Sequence, residues 1–195
     1  MAAPWEQWHQ LVKEQYPFIF DRLAQLIALP SVAAQKRAIP ETAQLLRGWL
    51  EEAGAEVQLL DDLGGSPVLY ACFEPGPGGQ TDRTVLLYNH YDVQPAEPLE
   101  LWDSDPFRLT ERDGKLFARG VGDNKGDIVT RLAAIRLLQQ QGGLPCRVKW
   151  LIEGEEEIGS PSLPRYLDKY GHLFAADACI WEFGYKDAEE RVCMT

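Results

Sequence analysis

The spacing of apolar residues predicts helices in the first quarter of the chain. Apolar side chains recur every three or four positions from Trp5 to Leu29, which is the period of an amphipathic helix. Pro17 is expected to break or restart this helix, and Pro30 to end it. A second amphipathic helix is predicted over residues 40–53.

Short apolar runs bounded by turn residues predict strands between and after these helices. Residues 107–119 predict a hairpin that turns at Asp113-Gly114. The remaining predicted strands are 56–60, 68–73, 85–88, 147–152, 178–181 and 191–195, and the remaining helices are 125–141 and 162–170. Because strands alternate with helices, we predict an α/β fold of three layers, with a sheet covered by helices on both faces.

Composition narrows the functional classes. The chain has 195 residues, enough for one domain, and a formal net charge of −11, which disfavours nucleic acid and anionic membrane partners. Its four cysteines include no C-x-x-C pair, so a zinc-finger or disulfide framework is not indicated. The start of the chain lacks a basic segment leading into an apolar one, and no apolar run is long enough to span a membrane. We therefore expect a cytoplasmic protein.

Polar clusters follow several of the predicted strands. These clusters are His90-Tyr91-Asp92, Asp123-Asn124-Lys125-Gly126, Glu155-Glu156-Glu157 and the single Glu182. Carboxylates beside a buried strand are costly unless a cation compensates them. In an open α/β sheet, ligands and metals collect at the carboxyl ends of the strands. One imidazole with several carboxylates suits a hydrolytic zinc site of two ions about 3.5–4 Å apart.

Each cluster also has a simpler interpretation. The glutamates could form a solvated acidic turn, His90 and Asp92 could share a surface hydrogen bond, and Asp123 could be a helix N-cap. Lys125 at a helix start is also compatible with phosphate binding, but the spacing of a P-loop is absent. The metal site is favoured because four clusters take matching positions in the predicted sheet.

The clusters, in their order, resemble the co-catalytic zinc metallopeptidase family of carnosinase-type dipeptidases, carboxypeptidase G, aminoacylase and acetylornithine deacetylase. The matching stretches are Asn89-His-Tyr-Asp-Val-Gln-Pro95, Ala118-Arg-Gly-Val-Gly-Asp-Asn-Lys-Gly126 and Glu153-Gly-Glu-Glu-Glu-Ile-Gly-Ser160. Trp102-Asp-Ser-Asp-Pro-Phe107 is most similar to the dipeptidase branch. The family usually has Asp at the position of Asn124.

The resemblance implies a role for each cluster. It implies a cis peptide bond between Asp123 and Asn124 and a general base at Glu156, with Glu155 outside the chemistry. Asp92 would be the catalytic carboxylate that supports the histidine ligand. The implied metal ligands are His90, Asp123 (bridging two ions), Glu157 and Glu182.

The implied activity is hydrolysis of the amide bond of dipeptides or short peptides by metal-activated water. The implied cofactor is zinc, two ions in the complete enzyme, with cobalt or manganese as alternatives. An N-acyl amino acid deacylase of the same family is the alternative activity, and the substrate is accordingly a small peptide or an N-acyl amino acid. A homodimer is expected only for the full-length protein.

The resemblance also implies missing parts. The family adds a lid or dimerisation domain and then returns with a last histidine ligand, and neither His9 nor His172 lies in a matching stretch. We therefore expect residues 1–195 to be a partial catalytic domain, truncated before the lid domain, and inactive alone. An inactive fragment or a remnant that binds a single metal ion is the corresponding alternative.

Overall fold

A computed structural model describes residues 5–182, 185–189 and 192–193. The predicted N-terminal helix is divided into α1 (Trp5–Glu14) and α2 (Tyr16–Ile27), with Pro17 in the first turn of α2. Proline suits this position because the backbone N–H groups in the first turn of a helix have no partner within the helix, so the absence of an N–H on proline costs no helical hydrogen bond. The expected break at Pro17 is thus confirmed.

The other helices lie close to their predicted positions. They are α3 (Ile39–Glu52), α4 (Lys125–Gln140) and α5 (Leu163–Tyr170), with a 3-10 turn at Gly171–Phe174. Gly54 has φ +88° just after α3, a left-handed conformation that glycine adopts without a Cβ penalty. Within the described residues, none of the helices combines the length and the apolarity needed to cross a bilayer.

Five of the described strands form the main sheet. They are β1 (Glu56–Leu60), β2 (Val68–Phe73), β3 (Gln80–His90), β6 (Cys146–Glu153) and β7 (Ala178–Ile180), in the order β1-β2-β6-β3-β7. β1, β2 and β6 pair antiparallel, whereas β6, β3 and β7 pair parallel. The sheet is therefore mixed, and its three parallel strands end at the same edge.

Two small hairpins accompany the sheet. β4 (Thr110–Arg112) and β5 (Lys115–Phe117) pair across Asp113-Gly114, as predicted, and both turn residues have positive φ. β8 (Tyr185–Lys186) pairs with β9 (Val192–Cys193). A strand is predicted over 191–195. Only residues 192–193 of it are described, because residues 191, 194 and 195 lie outside the described part of the chain.

The sheet is covered on both faces, which confirms the predicted three layers. In β2, Leu69, Ala71 and Phe73 pack with helices α2, α3 and α4, whereas Val68 and Tyr70 pack on the other face with Tyr166 of α5 and Phe174. Side chains alternate between the faces of a strand, so β2 supplies both cores at once. Among the described strands of the main sheet, β3 departs most in length from its prediction: it begins at Gln80, five residues before the predicted start, and continues past Tyr88 to His90.

Candidate metal centre

The carboxyl ends of the three parallel strands bring the polar clusters together. His90 is the last residue of β3 and is paired in register with Glu153, the last residue of β6. Glu156 and Glu157 follow β6 in a 3-10 turn, and Glu182 follows β7 by two residues. Three of the four clusters therefore meet at one edge of the sheet. The fourth, at Asp123, follows the separate β4–β5 hairpin rather than a strand of this sheet, and it reaches the edge from the loop before α4.

The imidazole of His90 lies at the centre of this edge. Its Nε2 is 2.9 Å from Asp123 Oδ1, 3.3 Å from Glu182 Oε2 and 3.8 Å from Glu156 Oε2. The His90 side chain is fully buried, whereas the Asp123 carboxylate is 76% exposed. The centre is thus closed on the side of the sheet and open to solvent on the other.

Asp92 fixes the orientation of that imidazole. The Nδ1 atom of His90 lies 3.1 Å from the backbone oxygen and 3.3 Å from Oδ1 of Asp92. The buried Asp92 carboxylate also accepts hydrogen bonds from the backbone N–H groups of Glu156 and Glu157, at 3.2 and 3.1 Å. An Nδ1–H directed at Asp92 leaves Nε2 as the ring atom able to bind a metal.

Asn124 joins the loop that carries Asp123 to the end of β3. The peptide bond between Asp123 and Asn124 is cis, as the resemblance implies. Asn124 Oδ1 accepts hydrogen bonds from the His90 backbone N–H at 3.3 Å and from the Asn89 amide, and its Nδ2 donates to Asp127 at 3.1 Å. An amide suits this position because one end must accept while the other donates to a carboxylate.

The three consecutive glutamates have three different environments. Glu155 is only 7% exposed and accepts hydrogen bonds from the backbone N–H groups of Ser66 and Ser162, at 2.8 and 3.0 Å. Glu156 extends towards His90, and Glu157 accepts a 2.8 Å hydrogen bond from the Gln94 amide. Glu155 lies outside the polar centre, as expected, but its hydrogen bonds connect the loops of Ser66 and Ser162 to the turn that carries Glu156 and Glu157.

Replacement of Glu155 by glutamine is expected to destabilise the fold. The amide retains one acceptor oxygen but presents an NH₂ group to the second backbone N–H, which loses its partner. An unsatisfied buried donor costs about 1–3 kcal/mol. Urea denaturation followed by circular dichroism measures the loss, and an unchanged free energy of unfolding would contradict this role.

Electrostatic crowding at the centre favours a bound cation. Burial alone would lower the pKa of His90, but its hydrogen bond to Asp92 and the charges of Asp92, Glu182 and Asp123 raise that pKa to about 9. Burial, together with the charges of Glu156, Asp123 and Asp127, raises the pKa of Glu182 to about 7 against the effect of His90. Glu182 Oε2 is also buried without a hydrogen-bond partner. Several carboxylates thus share one buried imidazole, and a divalent cation would offset their mutual repulsion.

Among the described residues, two overlapping sets of side chains have the geometry to hold metal. One set is His90, Asp123 and Glu157, and the other is His90, Glu156 and Glu182, with the potential ligand atoms of each set within 4.8 Å of one another. Imidazole nitrogen with carboxylate oxygens is a donor set that suits Zn²⁺ and other first-row divalent ions. The residues present thus fit a divalent metal.

Sequence reasoning missed the roles of two basic residues near the centre, one buried and one half-buried. Lys125 is fully buried, and its ammonium donates to the carbonyl groups of Leu26 and Leu29 at 2.9 and 2.6 Å, so it caps the end of α2 rather than facing a phosphate. Arg131 extends from α4 to the ends of β3 and β7. Arg131 lies three residues after Ile128, and a charge in that apolar stripe was the available signal.

Comparison with known proteins identifies the family to which the chain is similar. A profile described as peptidase family M20/M25/M40 matches residues 86–194. The chain is 34% identical to a cysteinylglycine-S-conjugate dipeptidase of Corynebacterium striatum over 163 residues, which is 82% of this chain and 35% of that protein.

Two solved structures show the same fold. An M20 family metallo-carboxypeptidase from Sulfolobus solfataricus superimposes with a TM-score of 0.82 at 37% identity, covering 89% of this chain and 39% of that one. Human carnosine dipeptidase 1 superimposes with a TM-score of 0.79 at 29% identity, covering 88% and 39%. The chain thus spans between 35% and 39% of the length of these three relatives. With the profile match extending over more than half of its residues, the chain belongs to peptidase family M20/M25/M40.

Proposed function

We propose that the protein is a divalent-metal-dependent hydrolase that cleaves the amide bond of dipeptides or short peptides, with zinc as its metal. The observation that carries the proposal is the convergence of His90 Nε2 with Asp123, Glu156 and Glu182 at a solvent-open edge of the sheet. Two of the similar proteins are named as dipeptidases and a third as a metallo-carboxypeptidase, which supports peptides as the substrate class.

The metal would be held by His90, Asp123, Glu157 and Glu182. A bound divalent cation supplies Lewis acidity, which polarises an amide carbonyl and makes water a stronger acid. Asp123 would hold metal on the open side of the centre, since its carboxylate is exposed and lies beside His90 Nε2. Buried Asp92 would hold His90 in the tautomer that presents Nε2.

Glu156 would act as the general base. Its carboxylate is 37% exposed and reaches within 3.8 Å of His90 Nε2, so it lies beside the metal ligands and within reach of incoming water. It would take a proton from the attacking water and deliver it to the nitrogen of the leaving amine. The 3-10 turn holds this side chain in place, because the backbone N–H groups of Glu156 and Glu157 both donate to Asp92.

The test measures hydrolysis by the protein expressed from its whole reading frame. Metal is first removed with a chelator, and Zn²⁺, Co²⁺ or Mn²⁺ is then returned before assay on a panel of dipeptides and N-acetyl amino acids. We expect metal-restored cleavage of dipeptides. Faster cleavage of N-acetyl amino acids would favour a deacylase instead, and hydrolysis of neither class with any metal would refute the proposal.

Two further proposals concern the cellular location of the protein and its oligomeric state. We propose a cytoplasmic protein that forms a homodimer when full-length. Cell fractionation tests the first, and light scattering of the purified protein tests the second.

A further inference from the structure

Arg131 reaches two strands at the point where they separate. The ladder between β3 and β7 has three pairs and ends at Leu87 and Ile180. One residue beyond it, the guanidinium of Arg131 donates to the backbone oxygen of Tyr88 on β3 and, at 2.6 Å, to that of Trp181 beyond β7. The Arg131 side chain therefore links β3 to the segment after β7 at the point where the backbone ladder has ended.

Asn89 extends this connection to a third segment. Its Oδ1 accepts hydrogen bonds from Arg131 at 2.6 Å and from the Trp150 indole at 2.9 Å. Its Nδ2 donates to Asn124 Oδ1. Both ends of the amide are thus satisfied, which fixes its orientation inside the buried edge.

Three members of this network are sequence neighbours of metal-binding candidates. Asn89 precedes His90, Trp181 precedes Glu182, and Asn124 follows Asp123. The rings of Tyr88 and Trp181 also stack, with centroids 3.8 Å apart and planes at 5°. The network therefore fixes the backbone beside three side chains without using any of the three.

We infer that Arg131, acting through Asn89, is a positioning residue that sets the spacing of His90, Asp123 and Glu182 for metal. This inference rests on the proposed function, since it assumes that the three side chains bind metal. The fork of the guanidinium can satisfy carbonyls on two strands at once, which a lysine ammonium does less well. Partners outside the ligand set commonly change metal affinity by about 10- to 100-fold.

A charge effect and a positioning effect predict opposite signs at Arg131. If Arg131 acted only as a positive charge near the centre, its removal would strengthen the binding of a divalent cation. If it positions the ligands, its removal weakens binding. Arg131→Met, which removes the charge and the donors but keeps a long chain, therefore separates the two effects.

The test is calorimetric titration of the metal-free protein with Zn²⁺, well below the unfolding midpoint of each variant. We expect Arg131→Met to bind Zn²⁺ about ten-fold or more weakly, and Arg131→Lys to recover only part of the loss. Arg136→Met is the matched control, because Arg136 lies on the same helix but packs over Phe18 at 4.6 Å, away from the centre. It should bind Zn²⁺ like the unchanged protein.

The outcomes distinguish the inference from the proposed function. Equal or tighter binding by Arg131→Met, or an equal loss in Arg136→Met, would overturn the positioning role and leave the metal site standing. Absence of Zn²⁺ binding in the unchanged protein would refute the proposed metal site and this inference with it.

Discussion

Replacement of Glu156 by glutamine is expected to lower the rate of dipeptide hydrolysis by about 10²- to 10⁴-fold, the contribution of a positioned general base. Glutamine has nearly the same size but cannot take a proton from water. The backbone N–H of residue 156 still donates to Asp92, so the turn keeps its shape. Zn²⁺ held by His90, Asp123 and Glu157 should therefore bind nearly as before, since that set does not include Glu156, and the loss should appear in kcat.

Glu155→Gln is the matched control for this experiment. The chemical change is identical and only one residue away, but the Glu155 carboxylate is bonded to Ser66 and Ser162 instead of facing His90. It should lower the free energy of unfolding and leave kcat nearly unchanged at a temperature where the variant is folded. A Glu156→Gln enzyme that retains full turnover would show that another group is the base.

Replacement of His90 by asparagine is expected to weaken Zn²⁺ binding by more than roughly 100-fold. Loss of a residue that only supports a ligand can already cost that much, and His90 is itself a proposed ligand. The imidazole belongs to both sets of potential ligands, so one change affects every arrangement of metal that the described residues offer. Asparagine is polar but too short to place a donor atom where Nε2 lies. Calorimetric titration with Zn²⁺ measures the loss, and metal-dependent hydrolysis should fall with it.

His172→Asn provides the control for His90→Asn. His172 is exposed in the 3-10 turn that follows α5, and the same substitution there should leave both metal affinity and hydrolysis unchanged. Comparison of the unfolding free energies separates loss of a ligand from loss of fold. Unaltered Zn²⁺ affinity in His90→Asn would contradict the assignment of His90 as a ligand.

Local patterns were sufficient to predict most of the fold. β1 and β2 lie at their predicted residues because turn residues bound each run sharply, and α4 begins where the glycine-rich segment ends. The first residues of β3 were missed since their side chains are exposed, so no apolar pattern marks them. The antiparallel insertion of β2 beside β6 is a long-range pairing, which local spacing does not reveal.

Residues of the site were predictable where candidate ligands stand directly after predicted strands. The positions of His90 and Glu182 after separate strands were enough to expect them at one edge, because parallel strands end together. Asp123 instead follows the separate β4–β5 hairpin and reaches this edge from the loop before α4. The network behind them was not predictable, since Arg131 reaches residues 42 and 50 positions away through side-chain hydrogen bonds. Likewise, the burial of Glu155 depends on a loop 89 residues earlier in the chain.

The shortness of β7 bears on how an ion would leave the centre. This strand has three residues, all exposed, and pairs with β3 alone among the described strands. Segments with few buried contacts open locally far more often than the whole protein unfolds. Because Glu182 follows β7 by two residues, each fraying event that also breaks the hydrogen bond from Arg131 to Trp181 would carry one carboxylate away from the imidazole. The residence time of a bound cation would then be set by local opening of this edge strand, while the rest of the sheet remains intact.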